Sequence, residues 1–172
     1  MSTVVQTFPS YNDNNMKEKI PTKEDICIYG MLEEEDAIEH FYGKTIEEAS
    51  ELFFRNSEYY GEDLFWMGFK AYFYYINSIK KYLQSDEGKY DDVFISNTLS
   101  TIEYRLENDS DFSRDFNYHK KEILDILLII ENNIDDYLMS DDDGGNDDFL
   151  GGSYNNVPER LSHLIDLCKT DE

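Results

Sequence analysis

Apolar residues recur along most of the chain at intervals of three and four, the spacing that lines one face of an α-helix. The plainest case lies within residues 62–84, where Phe65, Phe69, Tyr72, Ile76, Ile79 and Leu83 step by 4, 3, 4, 3 and 4. That stripe predicts one helix with its apolar side turned to a core, and Gly68 as the place for a break. Upstream, "EEEDAIEHFYG" puts Ile38, Phe41 and Tyr42 on one side and stops at Gly43, a residue that readily ends helices. "KTIEEASELFFRN" follows, with Ile46, Ala49, Leu52 and Phe53 in helical register. Thr45 and Glu48 there form a capping box, in which each side chain accepts the other's free backbone N–H.

Downstream, Ile95, Leu99, Ile102 and Leu106 mark a further helix, with Asp92 expected to cap it and "NDSDFSRD" to end it. Residues 116–139 are the most hydrophobic helix. Its "ILLII" leaves few directions for water, so a central position is expected. Asn156, with Pro158 just inside, opens a last helix, and Val157, Leu161, Leu164, Ile165 and Cys168 face inward along it. Alternation with period two is confined to short stretches, of which "VVQTF" and "ICIYG" are strand candidates. Residues 1–22, with Pro9, Pro21 and "NDNN", read as a loosely ordered arm. Residues 140–156, "SDDDGGNDDFLGGS" and its continuation, read as a flexible acidic loop. The expectation is an all-α fold: a single-domain bundle of five to six helices over residues 23–172.

Composition fits that picture and adds charge to it. At 172 residues, 40% of them hydrophobic and 15% aromatic, the chain can build one sizeable core. Acidic residues outnumber basic ones 38 to 15, for a formal net charge of −23. Such a field repels nucleic acid and anionic membranes and attracts a basic protein; an acidic surface kept only for solubility has the same count. The charge is also patterned. No Lys or Arg falls between Lys23 and Lys44, or between Lys121 and Arg160, while acidic residues crowd both spans. Duplex DNA carries one negative charge per roughly 1.7 Å of axis, so carboxylates along helix faces could offer a nuclease a similar density.

Candidate chemistry is sparse. His40, His119 and His163 are far apart, and a metal site needs converging ligands. Aligning Gly144 with position 6 of a calcium-binding EF-hand loop puts Met139 at position 1 and Leu150 at position 12, where carboxylates belong. No nucleophile elbow, phosphate-binding loop or dinucleotide fingerprint occurs, and no catalytic residue, cofactor or metal is expected. Cys27 and Cys168 match no metal or redox motif and read as buried free thiols. The N-terminal "MSTVVQTFPSYNDNN" lacks the basic and apolar regions of a secretory signal, and "ILLII" is too short to cross a bilayer. A cytoplasmic location is therefore expected.

The helical wheel of residues 62–83 leaves two aromatics off the core stripe. Tyr74 falls on the wet face with Asp63, Lys70, Asn77 and Lys81, and Trp66 lies at its edge. Tyr59, Tyr60, Glu62 and Asp63 add an aromatic and acidic cluster just upstream. Such a cluster suits a partner that offers Arg or Lys, through charge pairing and cation–π contact. The candidate partner-binding residues are therefore Tyr59, Tyr60, Glu62, Asp63, Trp66 and Tyr74, together with Asp135, Asp136, Asp141, Asp142, Asp143, Asp147 and Asp148.

The stretch "GKTIEEASELFFRNSEYYGEDLFWMGFKAYFYYINSIKKYL", residues 43–83, resembles a loosely defined family of small bacterial proteins. Their shared pattern is roughly "GKT-EEA--LF--NS-YY-EDL-WMG--A--YY". The continuation "ISNTLSTIEYRLEND", residues 95–109, is similar too. The resemblance implies an immunity-type protein that accompanies a bacterial toxin, and it carries over no catalytic residue. This chain departs from the pattern at Phe69, where a proline often follows "WMG", and in its long acidic C-terminal loop. Four functions stay open at this point. The first is a non-enzymatic protein that neutralises a basic partner, such as a cognate toxin or nuclease. The second is a phage-derived DNA-mimic inhibitor of a host nuclease. The third is a metal-dependent enzyme using surface carboxylates near His40, and the fourth a structural subunit docked through its aromatic face.

Overall fold

Several helices begin where a side chain satisfies backbone N–H groups that the helix itself leaves free. Thr22 accepts from Asp25 N, and Asp25 returns the bond, to start α1 (Lys23–Ile26). Thr45 and Glu48 do the same for α3 (Ile46–Trp66), as the capping box predicts. α2 (Leu32–Phe41) lies between them and ends at Gly43, whose φ of +77° is the left-handed turn that glycine adopts freely. After α3 come α4 (Phe69–Tyr75), a 3-10 turn (Ile76–Ser78) and α5 (Ile79–Leu83), which run on as a single rod. A second 3-10 turn, Gly88–Tyr90, leads to α6 (Asp92–Asn108), then α7 (Ser110–Asn132) and α8 (Val157–Lys169). This is a computed structural model, which describes residues 19–134 and 156–170; no strand occurs among them. Among the described residues, counting α4–α5 as one rod, the all-α bundle has six principal rods, and α1 is a single turn beside them.

Several boundaries depart from the periodicity, each for a visible reason. The helix predicted over 62–84 is split. Residues 62–66 complete α3, and a new helix starts at Phe69. Gly68 N–H donates to Ile26 O at 2.8 Å. A Cβ on Gly68 would lie 2.4 Å from Asp25 O and from Ile28 Cδ1, so the break is made by close backbone approach. α3 itself bends at Asn56 (φ −165°, ψ 93°), where Asn56 Oδ1 accepts from Tyr59 N and restarts the helix. Asp91, not Asp92, caps α6 by accepting from Phe94 N. Asp91 also accepts from the Tyr82 and Ser57 hydroxyls, which ties three elements to one carboxylate. "NDSDFSRD" is almost wholly helical, because Asp109 alone separates α6 from α7 and caps the latter. "ICIYG" is a turn, not a strand. The Glu34 carboxylate sits beneath it and accepts from the N–H groups of Ile28, Tyr29 and Met31 at 2.8 to 3.0 Å.

The stripe of α4 and α5 holds in the core. Tyr72, Ile76, Ile79 and Leu83 are buried, as is Tyr75 outside the stripe, whereas Phe65 and Phe69 at its upstream end are half-buried. α7 packs against α4, α5, α6 and α8, the central place its hydrophobicity predicts. Its Ile123, Ile126, Leu127 and Ile130 meet Val157, Leu161, Leu164 and Ile165 of α8 in one core. Arg160 fastens α8 to α6: its Nη2 donates to Glu103 Oε2 and Ser100 Oγ, both at 2.7 Å. Cys168 is buried as expected; Cys27 is only half-buried, and both are free thiols. Among the described residues, no helix is long and apolar enough to cross a membrane.

Candidate partner-binding face

α2 packs along α3, from Phe53 opposite Phe41 to Tyr59, Tyr60 and Asp63 opposite His40. His40, one residue before the buried Phe41, sits at the edge of the α2 stripe and reaches α3. Residues three and four apart share a helix face, so Tyr59, Tyr60 and Asp63 all turn toward it. His40 Nδ1 lies 2.8 Å from Asp63 Oδ2. The imidazole is flanked edge-on by Tyr59 at 5.2 Å and Tyr60 at 5.1 Å between ring centroids. The two tyrosine rings meet each other edge-on at 5.2 Å, the favoured aromatic geometry. A histidine, an aspartate and two tyrosines thus form one closed cluster.

The electrostatics of that cluster are strained. Asp63 is 4% exposed. Burial pushes its carboxyl up to about 6, and the nearby negative charges of Asp36 and Glu62 act in the same direction. The hydrogen bond and positive charge of His40 oppose them. Tyr59 is likewise raised, by desolvation first and then by Asp36 and Asp63. Around the rim, Asp36, Glu39 and Glu62 are exposed. None of the three joins an ion pair among the described residues, whereas Glu51, Glu103, Asp109 and Asp125 each hold a Lys or Arg. Tyr59, 44% exposed, feels the charges of Asp36 and Glu39, and Glu62 lies three residues on along α3.

The candidate residues therefore separate. Tyr59 and Glu62 are on the surface as expected, and Tyr60 is half-buried against His40. Asp63 is not a surface acid; it lies beneath the rim as the partner of His40. Tyr74 is half-buried rather than solvent-facing, edge-on to Tyr75 at 4.8 Å, because the break at Gly68 rotates α4 away from the wheel drawn for one continuous helix. Trp66 is half-buried too, its indole N–H closed off from solvent, and it faces a separate pocket beyond the end of α3. Asp135, Asp136, Asp141, Asp142, Asp143, Asp147 and Asp148, with most of the 140–156 loop and residues 1–18, lie outside the described residues. Sequence reasoning missed Asp36, Glu39 and His40 as members of the face. Their signal was His40 next to the buried Phe41 within a span without basic residues. No group of three or more His, Cys, Asp or Glu able to hold a metal occurs among the described residues. Comparison with protein-family models, with curated proteins and with solved structures finds no match to this chain.

Proposed function

We propose that the chain is a non-enzymatic binding protein that docks on and neutralises a basic protein through the α2–α3 face. One observation carries this reading: Tyr59 stands exposed near Asp36 and Glu39, with Glu62 three residues on along α3, and none of these carboxylates joins an ion pair among the described residues. Acidic side chains left unpaired on a surface keep their field available to a partner. A tyrosine beside them offers a large contact area at low rotamer entropy, plus a ring face for Arg or Lys. The net charge of −23 extends the same field over the molecule and speeds encounter with a basic surface. The resemblance of residues 43–83 to immunity-type bacterial proteins points the same way. A cytoplasmic toxin with a nucleic-acid-directed domain is the partner class that fits, since its substrate-binding cleft is basic and a carboxylate-rich face occludes it.

The test is affinity capture from the source cells with two baits, the wild-type chain and the triple variant Asp36→Asn, Glu39→Gln, Glu62→Gln. A basic protein retained by the first and lost by the second, and inhibited by stoichiometric wild-type chain, is the expected result. Recovery of neutral or acidic proteins only, or equal capture by both baits, overturns the reading.

A further inference from the structure

A pocket of about 580 Å³ opens where the Ile28–Met31 turn meets the C-terminal ends of α3 and α6. Its walls are aromatic: Phe65 lies edge-on to Trp66 at 4.8 Å and 5.2 Å from Tyr104. Four of the exposed large hydrophobic residues, Ile28, Tyr29, Met31 and Tyr104, line it, and Tyr29 and Tyr104 are 76% and 49% exposed. Apolar side chains gathered in one place and left open to water mark a surface that something else covers.

The charges around the mouth are answered from within. Asp109 pairs with Arg105 and Asp111 with Arg114, at 3.4 and 2.6 Å. Glu34 is taken up by the N–H groups of Ile28, Tyr29 and Met31. The partial negative charges at the C-termini of α3 and α6 are offset by the N-termini of α2, α4 and α7, which open on the same pocket. Neither a cation nor an anion gains from this balance, whereas an uncharged apolar segment suits it. A second copy of the chain is disfavoured, because each copy carries a net charge of −23.

One segment of the chain has the matching chemistry and is tethered in the right place. Residues 1–12, MSTVVQTFPSYN, are the longest run without a charged side chain in a sequence that is 31% charged. Val4, Val5, Phe8, Pro9 and Tyr11 give that run its apolar bulk. The described chain starts at Lys19, within electrostatic reach of Asp25. The Asp25 carbonyl in turn abuts Gly68 on the pocket lining. Tyr11 stands eight residues before Lys19, a tether that reaches up to about 26 Å when extended.

We propose that residues 1–12 dock across this pocket, with the Phe8 and Tyr11 rings packed on Tyr29, Trp66 and Tyr104. A short flexible linker holds such a segment at millimolar effective concentration, so a contact too weak to persist between separate molecules closes the pocket. The proposal stands apart from the α2–α3 docking face and uses none of its residues.

The test is made on the full-length chain. Nuclear Overhauser contacts are expected from the Phe8 and Tyr11 rings to Tyr29, Trp66 or Tyr104, and they should persist on dilution. Their absence overturns the proposal. So does their appearance only between differently labelled copies, which makes a second chain the occupant. Trp66 is the single tryptophan and lines the pocket, so quenching of its emission by acrylamide reports whether the pocket is covered. Phe8→Ser combined with Tyr11→Ser is expected to steepen that quenching, and unchanged quenching overturns the proposal. Closure requires a dissociation constant below the millimolar effective concentration of the tethered segment. The free peptide of residues 1–12, added to the double variant in millimolar excess, is therefore expected to restore wild-type quenching saturably. A linear response, or none, overturns the proposal.

Discussion

Two charged residues are buried at helix junctions to nearly the same depth, Arg105 at 5% exposure and Asp63 at 4%. Their surroundings differ in kind. Arg105 is answered at both terminal nitrogens, by three main-chain carbonyls and the Asp109 carboxylate, and by the Tyr72 ring, although its Nε is buried without an acceptor. Asp63 has one partner, His40, and its other charged neighbours are carboxylates. A charge taken out of water is tolerated when fixed groups replace the water, and costs free energy when they do not. The first site joins α6 to the end of α3 and holds the fold together. The second holds poorly compensated repulsion beneath the rim of Asp36 and Glu62. Equal burial therefore does not mean equal role; the sign of the neighbours decides.

The comparison breaks most visibly at Arg105. Replacing it by leucine leaves the carbonyls of Leu64, Phe65 and Met67 buried without donors and Asp109 without its cation. Arg105→Leu is expected to destabilise the protein by about 3–5 kcal/mol, read from chemical denaturation. A loss under about 1 kcal/mol would show that the carbonyls find water or other donors, and that this site is no better compensated than Asp63.

Glu34 sharpens the contrast on the side of acids. It is fully buried like Asp63, yet burial is outweighed there by N–H donation from Met31, Tyr29 and Ile28, and its carboxyl is held below the usual range. Glu34→Gln at neutral pH is expected to cost about 2 kcal/mol, the scale of hydrogen bonds to a charged acceptor. Because the folded-state value is depressed, that contribution is present above the ordinary value of 4.5 and is lost as pH falls through the lowered one. The variant and wild type should therefore converge in thermal stability in acid.

Asp63 is expected to behave in the opposite sense. Its folded-state value, about 6, lies above the ordinary 3.8. The folded protein then binds the proton more tightly than the unfolded chain, so stability falls as pH rises from about 4 through about 6. The rise from 3.8 to about 6 bounds that loss at roughly 3 kcal/mol. Asp63→Asn keeps the shape and a hydrogen-bonding group for His40 while removing the charge. It is expected to flatten the slope between pH 4 and 6 and to gain up to about 1 kcal/mol at pH 7. A loss of several kcal/mol would mean that the ion pair with His40 dominates, and that Asp63 is compensated after all.

The contrast between these sites also explains what the sequence could and could not reveal. The stripe Tyr72, Ile76, Ile79, Leu83, the Thr45–Glu48 box and the Asn156–Pro158 start are local patterns, readable within a turn or two of helix. The end of α3 is not local. It is fixed by Arg105, about forty residues away, and by the backbone of Ile26 meeting Gly68. The wheel for 62–83 therefore placed Asp63 and Tyr74 on one wet face, whereas the break puts them on different helices. Burial of Asp63 depends on α2 lying across α3, and the interval from His40 to Asp63 carries no periodic signal. Tyr59 and Glu62 were legible because an exposed position on a helix needs no tertiary partner to place it.

The smallest effect on the fold and the largest on binding should come from one residue, Tyr59. It is 44% exposed, and its inner edge touches only His40 and Tyr60 among rings. Truncating it removes two edge contacts and little buried area, so Tyr59→Ala is expected to change stability by no more than about 0.5–1 kcal/mol. The same ring is an exposed aromatic beside Asp36 and Glu39. If the face docks a basic partner, Tyr59 is its hot spot, and its truncation should cost at least about 2 kcal/mol of affinity, some thirtyfold in Kd. Tyr59→Phe keeps the ring and should retain most of that affinity, because the cation–π contact needs the ring and not the hydroxyl. Calorimetric titration of the captured partner against the three chains reads both effects. Equal affinity for Tyr59→Ala and wild type would place the binding energy in the carboxylates alone, and the α2–α3 face would then attract its partner without gripping it.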